Sequence, residues 1–308
     1  MAFLYKADPA RGAEWARLFA QKAPGLPFHI WPEVGDPHAV RFLAAWTPPA
    51  ALSTSFPNLE ILFCTGAGID HLDLSAVPAS VRVVRMIEPG IADGMVEYVT
   101  LSVLAVHRDW FAYGRQQQHQ RWEPLCVRPA ASRRVGVLGL GVLGKASIKR
   151  LQSFGFACAG WSRSAHRVEG VDCYAGAVEL PAFLARTDIL VCLLPLTDTT
   201  RGMLDRKLFD ALPAGAALIN VGRGGHVVQQ DLLQALDAGK ICTAILDVTD
   251  PEPLPPDHLF WHHPRVVLTP HIASETQPET AVDAVLANIQ RHRNGEPLMG
   301  LIDRGRGY

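Results

Sequence analysis

The sequence predicts an α/β chain with two doubly wound parallel sheets, the larger domain inserted into the smaller. Three observations lead there. From residue 135 onward, short apolar runs alternate with segments of helical period; the first hundred residues show the same alternation on a smaller scale; and a last helical run, Pro278–Arg293, follows the larger set as a return to the first domain. Length agrees, since 308 residues suit two cores of roughly 150 better than one. The expected division is residues 1–97 with 276–308 for the smaller domain and 98–275 for the larger.

In the smaller domain, residues 3–5, 28–31, 40–46 and 59–64 are short and apolar enough to be strands, 14–21 has helical period, and Gly66-Ala67-Gly68 makes a turn. Residues 93–113 are apolar at helical spacing and long enough to join the domains as one rigid helix. In the larger domain, residues 134–138, 156–161, 171–174, 188–194, 216–221, 241–248 and 265–269 are rich in β-branched and apolar residues throughout, as strands covered on both faces are. Between them 142–154, 177–186, 205–212 and 229–238 carry helical periodicity, with Gly155 and Gly239 placed as C-caps.

Bulk properties narrow the function. With 29 basic against 30 acidic side chains there is no electrostatic footprint for nucleic acid or an anionic membrane, which leaves a small molecule as the expected partner. The opening Met-Ala-Phe-Leu-Tyr-Lys-Ala-Asp places charge where a signal peptide would be apolar, and no uninterrupted apolar stretch approaches about 18 residues, so a soluble cytoplasmic chain is expected. Six cysteines scattered singly, without a C-x-x-C pair, suit buried free thiols rather than zinc or disulfides.

The densest signal is Val135-Gly-Val-Leu-Gly139-Leu-Gly141-Val142-Leu143-Gly144, a strand-like run breaking into G-x-G-x-x-G and continuing as a helix. Glycines let the backbone turn tightly, so the next helix points its free N–H groups at a pyrophosphate, as in a Rossmann unit. Residues 139–145 also fit the start of a triphosphate-binding loop, but that motif needs Ser or Thr next to hold magnesium, and Ala146 stands there. An NAD site usually carries an acid about 20 residues past the first glycine. Here the strand ends Trp161-Ser162-Arg163-Ser164, offering a guanidinium and hydroxyls to a ribose 2′-phosphate and no carboxylate to repel it, so NADPH is expected over NADH.

Three later strand ends carry polar residues on the edge where open α/β sheets bind ligands. They are Asn220-Val221-Gly222-Arg223-Gly224, Asp247-Val-Thr-Asp-Pro-Glu252-Pro, and Thr269-Pro270-His271-Ile-Ala273-Ser274, the last expected to open a helix. Reduction of a 2-oxoacid needs these three chemistries. Arg223 would grip the carboxylate with two prongs and lean on the carbonyl oxygen, His271 would donate the proton that completes the alcohol, and Glu252 would hold the imidazole and favour its protonated form. His119, His262 and His263 lack a carboxylate or cysteine at ligand spacing, so no metal site is expected.

Together the glycine turn, Asn-Val-Gly-Arg-Gly, Leu-Asp-Val-x-x-x-Glu-Pro-Leu-Pro and Thr-Pro-His-Ile-Ala resemble the D-isomer-specific 2-hydroxyacid dehydrogenases. Within that family Ala45-Trp46-Thr-Pro-Pro, Arg121-Trp-Glu-Pro-Leu, Trp161-Ser-Arg-Ser and Asp303-Arg-Gly-Arg-Gly-Tyr308 look most like a bacterial branch that reduces glyoxylate and hydroxypyruvate, nearly end to end. The resemblance implies NADPH-dependent reduction of glyoxylate to glycolate and hydroxypyruvate to D-glycerate, Arg223 and His271 as the catalytic pair with Glu252 beside the histidine, and a homodimer formed through residues 100–130. It further implies that Ala67 and Gly68 present backbone N–H groups to the substrate carboxylate and that Trp46 closes over the substrate. The cofactor would be held by Gly139, Gly141, Val142, Leu143, Gly144, Trp161, Ser162, Arg163, Ser164, Leu194, Pro195, Val221, Gly222, Arg223, Asp247, His271 and Ala273. Three other readings stay open on residues alone: a cofactor-sensing corepressor on the same fold, a reductase of a bulkier 2-oxoacid, and a methyltransferase binding S-adenosylmethionine, which would leave the three polar residues unexplained.

Overall fold

The computed structural model describes residues 1–70 and 72–305; His71 and the tail residues Arg306, Gly307 and Tyr308, part of the terminal motif, lie outside the described residues. Contacts divide the chain into two compact units, Met1–Ile91 with Glu275–Tyr308, and Ala92–Ser274. The first cut falls at 91/92 where the sequence pattern suggested 97/98, within a helix that is continuous across both positions.

The smaller unit holds β1 (Ala2–Lys6), β2 (Phe28–Ile30), β3 (Val40–Ala45), β4 (Ile61–Cys64) and β5 (Arg82–Val84) in one parallel sheet of order β2-β1-β3-β4-β5. Helix α1 (Pro9–Lys22) starts at Pro9 because Asp8 accepts the Arg11 N–H and proline fits a first helical turn. It buries Trp15, Leu18 and Phe19. A short α2 (Leu52–Ser55) and α9 (Pro278–Arg293) complete the unit. β5 went unseen in the sequence because Arg82 faces solvent and leaves only two buried valines to mark it.

The larger unit takes most of α3 (Pro89–His107), followed by α4 (Trp110–Gln118), β6 (Arg134–Leu138), α5 (Val142–Ser153), β7 (Ala157–Ser162), β8 (Asp172–Ala175), α6 (Gly176–Ala185), β9 (Ile189–Cys192), α7 (Arg206–Ala211), β10 (Ala216–Asn220), α8 (Gln229–Asp237), β11 (Ile241–Leu246) and β12 (Val266–Leu268). Seven strands, all parallel, lie in the order β12-β11-β10-β9-β6-β7-β8. Order reverses between β6 and β9, the position at which open α/β sheets part to admit a ligand. Alternate residues explain the unbroken apolar runs: Leu190 and Cys192 of β9 join one core, Ile189 and Val191 the other.

Several expectations are corrected. The single helix foreseen over 93–113 is two helices, broken at Asp109, whose φ of 54° stops α3. It also begins earlier, because the buried Glu88 carboxylate accepts the Gly90 and Ile91 N–H groups and caps it. By length and composition alone α3 could cross a membrane, although it is not an uninterrupted apolar stretch. Asp93 and Glu97 interrupt it, and Met95, Val99, Val103 and Val106 enter the core of the larger unit. No helix opens at His271; the chain stays irregular until Pro278 because the Ile272 and Ala273 N–H groups are taken by Asp247. Cys126 is exposed and Cys173 and Cys242 are half-buried, so only Cys64, Cys158 and Cys192 fit the picture of buried thiols.

Candidate active site

Gly139, Gly141 and Gly144 occupy the turn from β6 into α5, and each glycine has its own reason. Gly139 has φ of 107°, the left-handed side that favours glycine. A Cβ on Gly144 would sit 1.9 Å from the Gly139 carbonyl oxygen, so α5 approaches the turn only without a side chain there. Gly141 is different: a Cβ would meet nothing within 4 Å, and no side chain caps α5. The space before the helix N-terminus is open, and the first-turn N–H groups at Val142, Leu143 and Gly144 are ones that a helix leaves without an intrahelical acceptor, a fit for a dinucleotide pyrophosphate.

At the end of β7 the four expected cofactor residues divide. Trp161 is core, its Nε1 donating to the Gly176 carbonyl at 2.9 Å, and Ser162 is buried with its hydroxyl on the Ser164 carbonyl at 2.8 Å. Arg163 and Ser164 face outward, and no carboxylate precedes Glu169 on this loop. After β9, Leu194 is buried and Pro195 exposed.

The polar trio lies beyond three adjacent strands, β10, β11 and β12. Arg223 is half-buried in the turn after β10, with one guanidinium nitrogen on the Gly222 carbonyl at 2.7 Å. Its neighbour Gly224 abuts the next loop so closely that a Cβ would lie 1.9 Å from the Thr249 carbonyl carbon. Glycine at 224 is thus what lets the arginine turn rest on the loop carrying Glu252. That carboxylate accepts the Thr249 N–H at 3.0 Å through one oxygen and faces His271 Nδ1 at 2.9 Å through the other. With a carboxylate at Nδ1, the ring donates from that nitrogen and presents Nε2 outward.

His271 adopts φ of 56°, a conformation costing about 1–3 kcal/mol for a non-glycine residue that its surroundings must over-determine. Asp247 does so. Its carbonyl accepts the His271 N–H at 2.8 Å, and its buried carboxylate accepts the Ile272 and Ala273 N–H groups, both at 2.8 Å, and the Thr269 hydroxyl at 2.7 Å. Behind Thr269 stands the Tyr98 hydroxyl. Burial pushes the Tyr98 phenol above its ordinary value, its hydrogen bond with Thr269 opposes that rise and the Asp247 charge adds to it, so the hydroxyl stays neutral. Asp247 and Ala273, expected as cofactor ligands, here brace the histidine loop.

In the smaller unit, Trp46 follows β3 and is 42% exposed, so it does not fill the core. Its ring lies over Gly66, where a Cβ would come within 2.7 Å, which brings it against the turn of Ala67 and Gly68. Of the other histidines the sequence singles out, His119 places Nδ1 2.8 Å from the Arg115 carbonyl and His263 places Nε2 3.3 Å from Asp237.

Residues 100–273 match the family model described as D-isomer specific 2-hydroxyacid dehydrogenase, NAD binding domain. The glyoxylate/hydroxypyruvate reductase A of Yersinia enterocolitica is 40% identical over 301 residues, 96% of each chain. The chain belongs to the D-isomer-specific 2-hydroxyacid dehydrogenase family. Among solved members, a Xanthobacter autotrophicus dehydrogenase in complex with NADPH and MES superposes with a TM-score of 0.96 at 39% identity, covering 100% of this chain and 99% of that one. An NADPH-dependent glyoxylate/hydroxypyruvate reductase from Sinorhizobium meliloti, in complex with NADP and sulfate, gives 0.92 at 34% identity over 100% of both. As a member of this family the chain is an oxidoreductase that uses a nicotinamide cofactor. Sequence reading missed Tyr98 and Thr269 as supports of a dehydrogenase histidine loop, because their contact spans 171 positions. It also missed Asn220 and His226, which bear on the arginine turn.

Proposed function

We propose that this chain reduces small 2-oxoacids with NADPH, glyoxylate to glycolate and hydroxypyruvate to D-glycerate. The observation that carries the reading is the 2.9 Å contact between His271 Nδ1 and Glu252, on the loop against which the Arg223 turn is packed, in a chain similar to reductases of that name. The nicotinamide, when bound, supplies the hydride. Arg223 holds the substrate carboxylate and stabilises the negative charge that grows on the carbonyl oxygen, and His271 delivers the proton to that oxygen from Nε2. Glu252 keeps the ring in the orientation and tautomer that make this possible and stabilises it while charged. In the smaller unit, Ala67 and Gly68 would offer backbone N–H groups to a carboxylate, with Trp46 beside them against Gly66.

Preference for NADPH follows from the outward Arg163 and Ser164 and from the lack of an acid at the end of β7. A homodimer through residues 100–130 accounts for exposed apolar side chains on that stretch, Leu101 at 67%, Trp110 at 69%, Trp122 at 99% and Val127 at 72%. Oxidation of NADPH is measured against glyoxylate, hydroxypyruvate, pyruvate and phenylpyruvate. The two small oxoacids should have the highest kcat/KM; cofactor binding without turnover on any of the four would overturn the reading in favour of a sensor.

A further inference from the structure

The turn that carries Arg223 is held from inside by His226, whose side chain is fully buried. Its Nδ1 lies 3.0 Å from the Arg223 N–H and its Nε2 lies 3.3 Å from the Pro195 carbonyl oxygen. A carbonyl only accepts, so Nε2 must carry the proton to pair there. Nδ1 also stands 3.0 Å from the Arg223 carbonyl, but that oxygen already receives the Asn220 side-chain amide at 3.0 Å and the His226 N–H at 3.2 Å. Nδ1 is therefore the acceptor for the Arg223 N–H, and the neutral Nε2–H tautomer pairs both ring nitrogens.

The bonded peptide group is the one that matters. The Arg223 N–H and the Gly222 carbonyl belong to the same planar unit, and that carbonyl receives the Arg223 guanidinium at 2.7 Å. The ring fixes one side of the plane while the guanidinium rests on the other. Around the ring there is little slack, since a Cβ on Gly222 would come 3.1 Å from it. The backbone on either side is stitched as well, Gly202 N–H to the Gly225 carbonyl at 2.9 Å and Leu204 N–H to the His226 carbonyl at 2.8 Å. The loops after β9 and β10 thus form one block with His226 between them.

From this geometry we propose that His226 is a positioning residue for Arg223, its Nδ1 setting the peptide plane from which the guanidinium reaches the substrate carboxylate. The inference rests on the proposed role of Arg223, and three variants separate the two ideas. His226→Asn places an amide oxygen near Nδ1 and keeps the bond to Arg223. His226→Gln places an amide nitrogen near Nε2, keeps the Pro195 contact and loses the Arg223 one; His226→Leu loses both.

Two readouts are taken: amide hydrogen exchange at Arg223 in the unliganded protein, and KM and kcat for glyoxylate alongside the dissociation constant for NADPH. The Gln and Leu variants should lose protection at Arg223 by about tenfold, the size of one net hydrogen bond. KM for glyoxylate should rise in the Gln variant by a similar factor with NADPH affinity unaltered, and the Asn variant should stay near the wild type on Arg223 exchange and on KM. Equal exchange in the wild-type, Asn and Gln proteins overturns the proposal, as does an Asn variant as impaired as the Gln one. Intact exchange differences in a protein that turns over no 2-oxoacid would sink the functional reading and leave the positioning of Arg223 standing.

Discussion

Gly144 and Gly141 make opposite predictions although they stand three residues apart in one motif. In Gly144→Ala the new methyl lies 1.9 Å from the Gly139 carbonyl oxygen, about 1 Å short of the 3.0 Å that real Cβ atoms respect. Because the obstacle is backbone, α5 must move away from the sheet, loosening Ile148 and Leu151, both fully buried beneath it. Overpacking of this kind costs about 1–3 kcal/mol, or a fall in Tm of about 3–10 °C for a domain of this size. In Gly141→Ala the methyl meets nothing within 4 Å, and φ of −74° suits alanine, so the unliganded protein should melt with the wild type or slightly above it. The methyl does enter the space proposed for the pyrophosphate, and the NADPH dissociation constant should rise at least tenfold, about 1.4 kcal/mol. Thermal melts without cofactor and fluorescence titration with NADPH read both quantities. An unchanged Tm for Gly144→Ala, or wild-type NADPH affinity for Gly141→Ala, would refute the reasoning about the turn.

Replacing His271 by Gln should lower kcat/KM for glyoxylate by about 10²–10⁴-fold while the NADPH dissociation constant stays near the wild-type value; a variant that keeps wild-type turnover removes the histidine as the acid. For Arg163→Asp, the ratio of kcat/KM with NADPH to that with NADH should drop by at least about tenfold, through lost attraction and added repulsion at the 2′-phosphate, and an unaltered ratio would place the selectivity elsewhere. His107 gives a stability test. It is 8% exposed, its Nδ1 lacks a partner among the described residues, and its ring stands edge-on to Phe156 at 5.1 Å. Burial, then the Arg133 and Arg108 charges, hold its imidazole below the ordinary value. The unfolded chain therefore binds the proton first, so stability is complete above about pH 6.5 and falls as pH drops below it. Denaturant melts at pH 7.5 and 5.5 should show a larger loss in the wild type than in His107→Leu, and equal losses would disprove the link.

The sequence made the sheet of the larger unit legible because a strand covered on both faces must be apolar at every position, as β6, β9 and β10 nearly are. It overran strand ends, however. Trp46, Leu194, Val221, Asp247, Val248 and Thr269 continue the apolar or β-rich runs but lie just past the hydrogen-bonded ladders, where the backbone leaves the sheet. β5 and the break at Asp109 were invisible for the opposite reason, since two valines or one left-handed residue leave too little pattern to read.

The glycine spacing, the missing acid after β7 and the Arg, Glu and His at successive strand ends are written in the chain, because each depends on residue type at a fixed distance from a strand. Which nitrogen of His271 faces Glu252, how Asp247 and Thr269 hold its left-handed turn, and that His226 reaches the Arg223 amide were decided only by the fold. Hydrogen bonds need donor and acceptor within about 3 Å and aligned. Parallel strands bring such groups together from segments tens of residues apart, a coincidence that no local pattern records.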